Sequence, residues 1–334
     1  MNAIKSKIRK RGLFLFKCLI TVAMLVFVYT TVDDDLPKVL ETLRSTSIPL
    51  LLLAFANHLA GRFLMAYQTR LGLQVYGVNY STWSMFKINL QTMFYGAFLP
   101  GDFSGFAVKW YLISRIDGRR PEILATMVYI RLVYLIVVLV SGLAALVVHW
   151  PFESLGLLYS GLAVLSLMLF ATFAIHLQFL QSHLDRFAEY VTSWAPLRRL
   201  RSPFHRLHEA INAFSRMGWR DIVAMWGTCI LVKLSITFSF WLLAKATGIP
   251  VSFVTLLWIQ SAVEVIQFLP ISISGLGVRE ISVIYMLGSL GVAESTALGF
   301  SLLILVLRIG MIGMGGLFAG TDLIFGQPSK HKPV

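Results

Sequence analysis

Six apolar runs in this chain are each long enough to cross a membrane: 13–32, 48–67, 123–148, 154–180, 222–244 and 297–318. About 20 helical residues match the roughly 30 Å hydrocarbon core, and only backbones that satisfy their own hydrogen bonds persist there. The runs therefore restrict the chain to an all-α polytopic membrane protein, read as one integral membrane domain over 1–334. Composition agrees, since 57% hydrophobic against 13% charged residues leaves too little polar surface for a soluble domain.

Two further apolar stretches, 83–99 and 251–270, end in one shared signature. Phe98-Leu99-Pro100 leads through Ser104-Gly105 to Val108-Lys109, and Phe268-Leu269-Pro270 leads through Ser274-Gly275 to Val278-Arg279, 170 residues later without a gap. Apolar segments interrupted by Pro and Gly at corresponding positions of two halves point to a transport site built from internal repeats. The repeats cover about 83–150 and 251–320.

Cations in the loops set the orientation. Lys5, Lys7, Arg9, Lys10 and Arg11 put the N-terminus in the cytoplasm, and the first run is too long for a signal peptide and lacks a small-residue cleavage site. The 181–220 connection, with seven Arg, is cytoplasmic, as is the tail with Lys330 and Lys332. Lys109, Arg115, Arg119 and Arg120 then fall on the same side only if 83–115 dips in and returns. The expected architecture is six full spans plus two broken, re-entrant hairpins in an inverted repeat, with eight full spans as the alternative. Both chain ends are cytoplasmic, in a bacterial inner membrane.

The broken segments have a chemical use. Gly101, Gly105, Gly275 and Gly277 allow unusual backbone conformations, and Pro100 and Pro270 stop a helix, so each hairpin can offer free N–H groups at a helix start. Such a start favours phosphate or carboxylate, with Lys109 or Arg279 about one turn along. The other reading is that Pro and Gly merely kink packed helices. Pro100, Gly101, Ser104, Gly105, Lys109, Pro270, Ser274, Gly275, Gly277, Arg279 and Glu280 are the candidate binding residues of the two tips.

Ionisable residues inside apolar spans cost at least about 2.5 kcal/mol each unless paired or wetted. Arg131 and Arg308 sit near the middle of the span that follows each motif, and should face a protein interior or a watery cavity. Arg62 and Lys233 are weaker candidates, while Lys17 and Lys87 lie near enough to span ends to snorkel. Gln260, Glu264 and Gln267 share one face of a helix by their spacing. Glu264 could pair with Arg131 or Arg308 and release it to an anionic substrate, titrate as a proton coupler, or form a permanent structural pair.

Cys18 and Cys229 both fall in apolar spans, against a disulfide framework or thiolate metal site, and His205, His208 and Glu209 lack a helix-borne zinc motif order. No cofactor or metal is expected. The Arg of 181–220, interleaved with Phe187, Tyr190, Trp194, Phe204 and Trp219, suit a helix on anionic headgroups rather than nucleic acid. Gly310, Gly313, Gly316 and Gly320 line one side of the last span, for a homodimer contact or, preferentially, packing against the second hairpin.

With these residues in view, the sequence resembles the membrane region of the lysylphosphatidylglycerol synthase family, a flippase-like group. Leu99-Pro100-Gly101, Ser104-Gly105, Lys109, Arg131, Pro270, Arg308 and above all Gly275-Leu276-Gly277-Val278-Arg279-Glu280 carry the likeness, from the first span to Phe318. The first motif departs from it, with Pro-Gly-Asp-Phe-Ser-Gly and Lys109 where a Gly-richer run and an Arg are expected. The resemblance implies movement between leaflets of an anionic or polar-headgroup lipid, such as an aminoacylated phosphatidylglycerol or a polyprenyl-phosphate-linked sugar. Members that make lysyl-lipid carry a soluble transfer domain that this sequence does not include, so transport without synthesis is the expectation. The alternatives are a noncatalytic partner of a lipid synthase and a membrane-embedded headgroup transferase using Glu280 or Asp102 as base.

Overall fold

The computed structural model describes residues 36–99, 104–149, 155–176, 209–210, 213–267 and 277–325. The first apolar run, most of the Arg-rich connection and both hairpin tips, with Pro100, Gly101, Pro270, Ser274 and Gly275, lie outside the described residues. Among the described residues the regular structure is helical throughout, without strands. The protein is an all-α polytopic membrane protein.

A short helix α1 (Leu36–Arg44) precedes α2 (Ile48–Gln74). Next come α3 (Thr82–Phe98) and α4 (Ser104–Asp117), the two arms of the first hairpin, and then α5 (Arg120–His149) and α6 (Leu155–His176). A 3₁₀ turn (Phe214–Arg216) leads into α7 (Trp219–Ala246). The second hairpin has arms α8 (Phe253–Gln267) and α9 (Val278–Gly288), and α10 (Glu294–Phe325) closes the chain.

Four of these helices, α2, α5, α7 and α10, are long and apolar enough to cross a membrane. The hairpin arms are much shorter, 17 and 14 residues in the first and 15 and 11 in the second. At about 1.5 Å per residue they reach only about 16 to 26 Å, less than the hydrocarbon core. Local chemistry sets several boundaries. Pro49 and Pro121 stand in the first turns of α2 and α5, where a missing N–H costs nothing. The Ser252 hydroxyl accepts from Thr255 N at 3.1 Å and caps α8. α7 is closed by Gly248, two residues past its end, whose φ of 73° lets Ile249 N return to Ala244 O at 2.8 Å.

The chain divides into two compact units. The described residues of the first fall within Met1–Ala60, Leu90–Val108 and Ser235–Thr321, and those of the second within Gly61–Asn89, Lys109–Leu234 and Asp322–Val334. In the first unit, Leu243, Ile259, Val263, Leu287, Phe300 and Leu307 build one buried apolar cluster with Ala54. Polar side chains bridge its helices as well. Asn57 Nδ2 donates to Ser235 O at 2.6 Å and Ser239 Oγ at 2.9 Å, the interhelical bonding that substitutes for a hydrophobic driving force in lipid.

The glycines of α10 serve packing inside this unit. A methyl group at Gly315 would lie 2.1 Å from Leu90 O, and one at Gly316 would lie 2.9 Å from the Phe94 ring. Gly310 meets Phe55 of α2 in the same way, at 2.6 Å. The small face of α10 thus receives α2 and the first hairpin's arm α3, rather than the second hairpin as its spacing had suggested. Gly313 and Gly320 meet no such neighbour among the described residues.

In the second unit α6 packs on α5 and on the 3₁₀ turn. Phe214 of that turn is fully buried, stacked on Tyr129 at 4.3 Å and edge-on to Tyr76 at 5.7 Å. The Tyr76 hydroxyl donates to Ala210 O at 2.5 Å, and Arg119 donates to Tyr76 O at 2.8 Å. Burial, reinforced by the Glu122 carboxylate, pushes the Tyr76 phenol far above its usual range, so it remains a donor at any physiological pH. This cluster pins the end of the Arg-rich connection.

Candidate functional site

The second copy of the motif builds its centre at the start of α9. Gly277 takes φ 81°, a conformation that suits glycine, and its N–H donates to Glu280 Oε2 at 2.7 Å. The other carboxylate oxygen, Oε1, accepts from Arg279 Nε at 3.1 Å and from Arg279 Nη2. Glu280 therefore caps the helix and neutralises the neighbouring guanidinium at once. Both residues are buried, at 9% exposure for Arg279 and 6% for Glu280. Arg308 of α10, partly buried, acts electrostatically on both. Glu280 is thus the direct partner of Arg279, with the Arg308 charge within electrostatic reach of both.

The same unit holds the polar face of α8. Gln260 is buried, receives the Thr237 hydroxyl on Oε1, and donates through Nε2 to Glu264 Oε1 at 3.1 Å. Gln260 and Glu264 are joined as their spacing requires, while Gln267 is exposed at the helix end. Arg279 has Glu280 as its counterion.

The first copy is built differently. Ser104 Oγ donates to Gly96 O at 3.2 Å, and a methyl on Gly96 would lie 3.3 Å from Gly105 Cα, so the arms α3 and α4 meet glycine to glycine. One turn on, in the second unit, Lys109 Nζ donates to the Thr69 hydroxyl at 2.9 Å, with the Arg62 cation acting on it. Arg131 is exposed on α5, outside any packed interior.

Lys233, a weaker candidate by sequence, is almost fully buried at mid-span in α7, at 1% exposure. The buried Thr69, which supplies the partner of Lys109, is the functional residue that the sequence did not mark, because threonine is common in such helices.

No curated protein matches the chain, and no solved structure does. The model of the family described as "Lysylphosphatidylglycerol synthase TM region" matches residues 14–315, nearly the whole of the 334-residue sequence and both motif copies. The chain belongs to this family, and is an integral membrane protein of a lipid-related group.

Proposed function

We propose that the chain is a lipid translocase that moves an anionic or polar-headgroup lipid between leaflets, its headgroup held by the motif residues while acyl chains stay in the bilayer. The observation that carries this reading is the buried Arg279–Glu280 pair, with the Arg308 charge within electrostatic reach of it. A guanidinium binds phosphate in the same forked, bidentate manner as carboxylate, so one anion can take the place of another on Arg279. Removing the carboxylate without replacement would strand a buried charge, which couples release by Glu280 to arrival of the headgroup. Glu280 keeps its Gly277 contact during the exchange, and Arg308 faces the incoming charge.

Pro100, Gly101, Ser104, Gly105, Lys109 and Arg131 in the first repeat, and Pro270, Ser274, Gly275 and Gly277 in the second, complete the proposed path. Glu264, with Gln260 and Gln267, gates it. The inverted repeat and the cytoplasmic placement of both termini belong to the same proposal and rest on the loop charges.

The test is transfer of fluorescent phosphatidylglycerol in vesicles reconstituted with the full chain. Arg279→Gln/Glu280→Gln removes both charges with little change of shape, so folding should survive while transfer falls at least tenfold. Wild-type transfer no faster than in empty vesicles would reject the translocase and favour a partner of a lipid synthase. Full transfer by the double variant would reject the exchange centre.

A further inference from the structure

A second group of donors belongs to the other unit. The Thr69 hydroxyl that accepts from Lys109 gives its own proton to Met65 O at 2.9 Å, so it positions Lys109 and is committed on both sides. Arg62 stands seven residues before Thr69, on the same face of α2, and its charge acts on Lys109. Asn89 of α3 is buried, and its Nδ2 has no hydrogen-bond partner among the described residues.

Helical register puts Asn89 on the stripe of α3 that faces α4, and Lys109 on the stripe of α4 that faces α3. Across the hairpin Gly96 meets Ser104 and Gly105, and Gly105 meets Thr92. Asn89 precedes Thr92 by three residues and Lys109 follows Gly105 by four, so each continues the stripe that faces the other arm. They stand at one level, about a turn beyond the glycine contact.

These groups are donors of one kind of ligand. Ammonium and guanidinium offer three and five N–H bonds and accept none, and the amide nitrogen offers two more. Two like charges beside an unsatisfied amide donor are costly in a low-dielectric interior, and a compact anion with several oxygens relieves both costs together. We infer that Arg62, Asn89 and Lys109 bind a phosphate group, with Thr69 as a positioning residue. The phosphate belongs to a lipid headgroup or is free inorganic phosphate. This inference rests on the translocase reading only for the lipid as carrier.

The experiment uses the full chain in nanodiscs. Wild type, Asn89→Leu, Asn89→Asp and Lys109→Met are titrated with phosphatidylglycerol in native mass spectrometry, and with inorganic phosphate in a melting assay. Asn89→Leu and Lys109→Met should each weaken binding about tenfold or more, the effect of losing a donor to a charged group. Asn89→Leu should melt no lower than wild type, since it replaces an unsatisfied amide by an apolar group. Asn89→Asp builds an anion into the site, so it should keep its stability and lose the phosphate response.

Lost phosphatidylglycerol binding without any effect of inorganic phosphate supports the lipid as carrier. A melting shift with inorganic phosphate in wild type but not in the variants supports the free ion. Unchanged binding of both probes in every variant overturns the site. Normal lipid transfer by these variants, with Arg279→Gln/Glu280→Gln inactive, also overturns it and leaves the translocase standing. Phosphate binding by a wild type that transfers no lipid does the reverse.

Discussion

The two motif copies end in a cation at matching positions, Lys109 and Arg279, yet surround it with opposite chemistry. Arg279 lies against a carboxylate, Glu280, whereas Lys109 lies against a hydroxyl, Thr69, with Arg62 acting on it. The next residue decides the difference. In the second copy it is Glu280, the counterion. In the first it is Trp110, whose indole N–H donates to Arg120 O at 3.0 Å while the Arg120 guanidinium lies 6.0 Å above the ring. One repeat uses that position for charge balance and the other for anchoring the α4–α5 turn, so the second copy carries there an internal counterion that the first does not, and on the proposed phosphate site the first takes its anion from outside.

The largest effect should come from breaking the second copy. Arg279→Ala leaves Glu280 buried without its charge partner, so unfolding should require about 3–5 kcal/mol less, the usual result of removing one member of a buried pair. Lys109→Met relieves one cation of another and leaves the Thr69 bond to Met65 intact, so its stability should stay within about 1 kcal/mol of wild type. Denaturant titration in detergent compares the two directly. Equal losses in both would contradict the proposed asymmetry.

A smaller effect should follow from strain in the packing that holds the first hairpin. Gly315→Ala forces a methyl into Leu90 O, a backbone atom that cannot swing away, and should cost about 1–3 kcal/mol. Gly313→Ala, two residues earlier in the same helix with none of the described residues within 4 Å of the added methyl, should gain a few tenths up to about 1 kcal/mol from helix propensity. Opposite shifts in melting temperature are the expected outcome, and a common sign would show that α10 does not receive α3 as closely as the structure has it.

The spans were legible because their chemistry is one-dimensional. The runs 48–67, 123–148, 222–244 and 297–318 all became helices, each extended by up to two turns at an end. The extension has a physical reason: Gln68 and Thr69 are polar enough to end a hydropathy window, yet they stay helical and buried by bonding to Cys229, Lys109 and Met65. The Gln260–Glu264 contact was legible too, since residues four apart on a helix face each other. Glu280 was not. Adjacent residues point apart along a regular helix, so no periodicity pairs Glu280 with Arg279. The contact forms only because the carboxylate turns back to the N–H of Gly277 at the helix start, carrying its second oxygen to the guanidinium. Asn89 was equally silent, because which arm faces Lys109 is a matter of hairpin register rather than of sequence.

The finest test transplants the difference between the copies. Trp110→Glu places in the first repeat the residue that the second repeat uses, next to Lys109 as Glu280 is next to Arg279. A carboxylate there supplies an internal anion, and phosphate binding at Lys109 should weaken about tenfold, the value of one charge-assisted bond. Trp110→Gln loses the same indole contact to Arg120 O without adding charge, so it should bind phosphate within about threefold of wild type. Comparing the two by native mass spectrometry with phosphatidylglycerol separates charge from anchoring. If both variants weaken binding alike, the indole anchor rather than the missing counterion distinguishes the first copy, and the dependence of that copy on an outside anion loses its support.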